Sequence, residues 1–174
     1  RESTREAVAM AIVGGAAWAA HWLYFARRDF ESTLRQLYLY LFANTGAAIA
    51  VLVALAITLY GALVWTFGVS NEESAAEHFR FLPEAAASLI MAGVILAYHW
   101  LTARQEPKPP GLASEGAHRL YPYALAVLGL GTLGMGIASL VTTALGVLVE
   151  RDDALASGDL WLNGMAFGIA LSVL

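Results

Sequence analysis

Two histidines, His21 and His99, each precede a tryptophan, Trp22 and Trp100, in the near-identical stretches HWLYFAR and HWLTAR. Histidines on separate apolar helices are residues that can hold a b-type haem axially, with neutral imidazole nitrogens on the iron. A competing assignment places them in a His-Trp belt at headgroup depth. His21 lies two positions past Ala19, about 200° round a helix from the small residues of its own segment, which favours the belt. A second pair of clusters sets Tyr38 and Tyr40 beside Arg35, and Tyr121 and Tyr123 beside Arg119. Rings with an apolar body and a polar tip, next to guanidinium groups, suit phosphate headgroups. Trp22, Trp100, Arg35, Tyr38, Tyr40, Arg119, Tyr121 and Tyr123 are therefore expected as interfacial anchors.

Other chemistry has little to work with. Asp, Glu, Lys and Arg stay out of the apolar stretches, so the buried ionisable groups on which proton-coupled carriers and voltage sensors depend are missing. There is no nucleophile elbow, P-loop or HExxH motif. An enzyme is not expected, and neither is a metal or cofactor outside the haem alternative. With no Cys, disulfides and thiolate metal sites are excluded. Ten Lys and Arg against fourteen Asp and Glu leave no basic excess to bind nucleic acid.

The elements that must carry these residues follow from composition. Of 174 residues, 59% are hydrophobic and 14% charged, and the mean hydropathy is +0.61. A soluble domain has about 25% charged residues, so this composition predicts an all-α integral membrane protein. Charges bracket four full spans, at Ala7–Phe25, Leu37–Phe67, Ala85–Ala103 and Leu120–Val149, and a fifth opens near Leu160. The second and fourth, at about 30 residues or about 45 Å, exceed a hydrocarbon core of about 30 Å and must tilt or project. The connector after Val69 begins Ser70-Asn71-Glu72-Glu73, a capping-box spacing that predicts a short surface helix. An opening at Arg1 and an apolar run that stops at Leu174 point to a piece of a longer protein.

The sequence also repeats itself. HWLYFAR recurs as HWLTAR, RQLYLY as HRLYPY, and Gly15 has its counterpart in Gly93. This predicts tandem transmembrane hairpins, with a first unit at 1–69, a second at 70–149, and at 150–174 an outer loop and the start of a third. Small residues four apart mark packing ridges: Ala50, Ala54 and Thr58 on the second span, and Gly134, Ala138 and Thr142 on the fourth. Gly15 and Gly93 mark the first and third spans, and Gly164 and Gly168 the fifth. Such faces permit the close backbone approach that helix association in lipid requires. Lys and Arg are richer in the loops at 26–36 and 104–119, which the positive-inside rule assigns to the cytoplasm.

The two aromatic span openings resemble those of an uncharacterised bacterial family of multi-pass membrane proteins, domain of unknown function 5671. The pattern Arg-x-Leu-Tyr-x-Tyr falls on Arg35, Leu37, Tyr38 and Tyr40. It returns with its Arg one place closer and a Pro122 inserted at Arg119, Leu120, Tyr121 and Tyr123. The resemblance implies a bacterial cytoplasmic-membrane location and carries over no activity. The expected role is a scaffold or subunit module whose partners are the lipid bilayer and the rest of a longer chain or other membrane subunits. A transporter-like core of parallel repeats is the alternative, and a haem electron carrier using His21 and His99 the second.

Overall fold

The computed structural model describes residues 2–25, 32–105, 112–149 and 159–174. The elements among them are all helical. Helix α1 (Glu2–Ala20) runs into a π-helical turn at His21–Phe25. Short α2 (Thr33–Leu37) begins at Ser32, whose hydroxyl caps the Leu34 amide, and passes through a second π-helical stretch, Tyr38–Asn44, into α3 (Thr45–Thr66). After a connector come α4 (Ala75–His78), a 3-10 turn at Phe79–Phe81, and α5 (Leu82–Gln105). Among the described residues, α6 (Leu112–Val149) and α7 (Asp159–Val173) follow.

Three stretches are long and apolar enough to cross a membrane: Tyr38–Thr66, Ala75–Gln105 and Arg119–Val149. These correspond to the second, third and fourth expected spans. The first is shorter than expected, because its apolar helix covers only Val8–Tyr24, below the about 20 residues a span needs. The fifth, Leu160–Val173, is also a short apolar helix.

Helix α3 ends on a Schellman motif. Gly68 takes the left-handed conformation at φ +72°, its amide donates to the Trp65 carbonyl, and the Val69 amide donates to the Val64 carbonyl. Val69 and Val64 then share a buried cluster with Ala166 of α7. The capping box of the connector lies four residues later than expected. Ser74 accepts from the Glu77 amide and donates to its carboxylate, whereas the Ser70 hydroxyl meets the imidazole Nδ1 of His78 at 2.8 Å. That imidazole donates from Nε2 to the Gly61 carbonyl at 2.8 Å. Phe81 packs its ring where a Gly61 side chain would stand. The connector is therefore strapped to α3 by His78 and Phe81.

Helix α3 packs along α5 and against α7, and α7 packs along α6. The extensive contacts thus pair α3 with α5 and α6 with α7, while α5 and α6, expected as one hairpin, make little contact along their length. Helix α1 reaches the other helices through its aromatic C-terminal end, leaving Val8, Met10, Ile12 and Val13 exposed.

The expected ridges are redrawn by these contacts. On α3 the buried small residues are Ala47, Ala54 and Gly61, seven apart, and Ala50 is exposed. A seven-residue seam is what a shallow crossing between long helices selects, rather than a four-residue one. On α6, Ala138 and Thr142 are exposed and a Cβ on Gly134 would meet nothing. The face in use lies on nearly the opposite side of the helix, at Gly136, Leu140 and Thr143. There a Cβ on Gly136 would fall 2.8 Å from the Gly168 carbonyl, and one on Gly168 would fall 2.7 Å from Leu140 Cγ. A Cβ on Gly164 would collide with the Thr143 hydroxyl. Gly15 and Gly93 likewise face open space.

Candidate aromatic site at the Tyr40 end of the bundle

The two aromatic clusters and one of the two histidines meet at one end of the bundle. Both π-helical turns lie here, and π-turns recur at functional sites because they re-aim the side chains around them. The first is readable in the repeat: HWLYFAR carries one residue more than HWLTAR, and a π-turn is how a helix absorbs an extra residue. The second copy continues as regular α-helix through Gln105. Matching residues of the two stretches face different surroundings.

His21 is exposed, whereas His99 is only 3% exposed. The His99 Nδ1 donates to the Ile95 carbonyl at 2.8 Å. Since a carbonyl only accepts, this fixes the proton on Nδ1 and leaves the Nε2 lone pair facing inward, without a partner among the described residues. Four rings enclose the imidazole, with centroids at 5.1 Å (Tyr98), 5.7 Å (Trp22), 6.0 Å (Tyr38) and 6.4 Å (Trp18). The pair does not fit axial haem ligation, because one imidazole lies on the surface and the other is walled in by rings that occupy the approach to it.

Trp22 is the centre of this cluster rather than an interfacial belt residue. It is 4% exposed, its indole N–H donates to the Tyr98 hydroxyl at 2.8 Å, and Trp18 stacks on it at 6.5 Å. The Arg35 guanidinium lies 4.5 Å over the Trp22 ring and is itself buried, so it does not stand at the surface either. Tyr40 is buried, and its hydroxyl donates to the Ala103 carbonyl at 3.1 Å. Tyr38 is half-buried against Trp22 at 5.5 Å.

The second-copy residues remain nearer the surface. Trp100 is partly buried, with the Arg104 guanidinium 4.7 Å over its ring and Tyr121 5.8 Å away. Tyr121 also faces Tyr40 at 6.1 Å. Tyr123 and Arg119 are exposed. The roles of Trp18, Tyr98 and Arg104 are visible only in the structure, although each lies four residues or fewer from a residue already marked. Residues 26–31 and 106–111, with Arg27, Arg28 and Lys108, and residues 150–158 lie outside the described residues.

Elsewhere, polar side chains of the long helices turn back on their own backbone. Thr58 donates to the Ala54 carbonyl and Thr142 to the Ala138 carbonyl, each at 2.8 Å. Ser139 reaches across from α6 to the Gly164 carbonyl at 3.1 Å. Asn44, at the end of the second π-stretch, is fully buried with both amide atoms unpaired among the described residues.

Among the described residues the molecule is thus all helical, with three helices long and apolar enough to cross a membrane. Residues 1–94 match the family described as domain of unknown function DUF5671, and the chain belongs to that family. The match takes in the Arg35 to Tyr40 opening and ends before His99 and the Tyr121 opening. No curated protein and no solved structure matches the chain.

Proposed function

We propose that this chain is a non-enzymatic module of the bacterial cytoplasmic membrane. It would serve as a scaffold or subunit within a longer protein or a complex, with the segments 26–36 and 104–119 on the cytoplasmic side. The observation that carries this reading is the α6 to α7 contact, where Gly136, Gly164 and Gly168 bring two backbones together with no space between them. Helices that close on each other in this way form a packed support, not a path. The transporter-like alternative needs polar surface turned inward, and the Thr58 and Thr142 hydroxyls are spent on their own helices. Exposed apolar faces on α1 and α6, including Met10, Val13, Leu130 and Leu145, offer the area that lipid or neighbouring subunits would cover.

The electron-carrier alternative has a direct test. Protein purified in detergent from haem-replete cells is expected to be colourless, with no Soret band. A stoichiometric Soret band lost in His99→Ala would overturn the scaffold reading.

A further inference from the structure

A cleft of about 460 Å³ opens at the Tyr40 end of the bundle, bordered by Tyr40, Trp100, Arg104, Tyr121, Pro122 and Leu125. We propose that it binds the headgroup and upper acyl chain of one anionic phospholipid. This rests on the three long apolar helices crossing a membrane and is independent of the scaffold role.

Depth is the first argument. Tyr40 lies just inside the start of the Tyr38–Thr66 stretch, Arg104 just before the end of Ala75–Gln105, and Tyr121 just after the start of Arg119–Val149. Three spans therefore place the cleft at one level, where hydrocarbon gives way to headgroups. Chemistry is the second. Among the described residues the cation on the border is Arg104, exposed and held 4.7 Å over the Trp100 ring, so its guanidinium is oriented rather than free to sweep. A guanidinium in this position presents paired N–H donors to a phosphate. Below it, Trp100, Pro122 and Leu125 supply an apolar floor that a free phosphate has no use for and an acyl chain does. Access is the third. Because α5 and α6 make little contact along their length, the seam between them leads from the floor of the cleft toward the hydrocarbon. The Tyr40 hydroxyl, tied to the Ala103 carbonyl, and the Tyr121 ring against both Tyr40 and Trp100 keep the walls in place.

The test uses the purified chain in neutral detergent, with thermal unfolding measured after adding phosphatidylglycerol, phosphatidylcholine or inorganic phosphate. At a tenfold excess over Kd, phosphatidylglycerol is expected to raise Tm by about 3–5 °C. Phosphatidylcholine and inorganic phosphate are expected to leave it unchanged. Arg104→Gln should lose the shift measured against its own lipid-free unfolding temperature, while Arg104→Lys keeps part of it. Native mass spectrometry should retain one phosphatidylglycerol on wild type and none on Arg104→Gln. An equal shift with phosphatidylcholine, an equal shift with inorganic phosphate alone, or a full shift in Arg104→Gln would each overturn the proposal.

Discussion

Trp22→Ala is expected to cost about 3–5 kcal/mol of stability, in the range for removing a large aromatic from a packed site. Lipid-exposed apolar surface gives no transfer gain on folding inside a bilayer, so most of this loss comes from contacts rather than hydration. The indole stacks on Trp18, donates to Tyr98, supports the Arg35 guanidinium and forms one wall around His99. Removing it leaves a cavity beside a buried cation and a buried imidazole, two groups that tolerate a void poorly. Trp100→Ala, at the matching position of HWLTAR, removes a partly buried ring and should cost distinctly less. Reversible unfolding in mixed micelles measures both. Equal, small losses at the two tryptophans would mean that each is an interfacial anchor and that no buried aromatic centre exists.

The second large effect changes sign between two glycines of similar sequence context. Gly164→Ala should destabilise by about 1–3 kcal/mol, because the added methyl meets the Thr143 hydroxyl across the α6 to α7 contact. Gly134→Ala adds the same methyl to a face where nothing lies within 4 Å. There the substitution only relieves the helix penalty of glycine, a gain of about 0.5–1 kcal/mol. Thermal unfolding of the two single variants decides the matter. Destabilisation of similar size at both positions would show that the Gly134 face packs after all.

These two pairs also show how far the sequence reaches. Hydropathy located the long helices because a charge at nearly every boundary leaves no freedom in placing an apolar run, and α3 and α6 end within a few residues of expectation. The choice of face was not readable. Helix α6 carries Gly129, Gly131, Gly134, Gly136 and Gly146, so small residues at four-residue spacing can be drawn along more than one side of it. Only the partner helix decides which is used. Gly164 and Gly168 had no such competition on α7, and there the sequence pattern and the contact coincide.

The aromatic site was half legible for a related reason. The repeat marked His21 with His99 and Trp22 with Trp100, but equivalence in sequence implied equivalent surroundings, and a single extra residue in HWLYFAR removes that equivalence. A π-turn occupies His21–Phe25, and the structure buries Trp22 while leaving His21 outside. Periodicity at 3.6 residues cannot register an i to i+5 turn. The length difference between the copies was the available signal. His78 had no signal of comparable strength, since its role comes from a helix carbonyl at Gly61 that no pattern exposes.

The central claim is that the bundle is closed, and cysteine labelling in sealed vesicles tests it most directly because the chain has no cysteine of its own. Single cysteines at Thr58, Thr143 and exposed Ser74 are treated with a charged, impermeant thiol reagent, applied outside and then to both sides after permeabilisation. Cysteines at Ser114 and Asp152 report on the faces proposed as cytoplasmic and outer. Ser74→Cys and Asp152→Cys are expected to react from the outer side and Ser114→Cys only after permeabilisation, while Thr58→Cys and Thr143→Cys stay unlabelled throughout. Reaction at Thr58→Cys and Thr143→Cys in the intact bundle would reveal water along the long helices and contradict the scaffold in favour of a transport path.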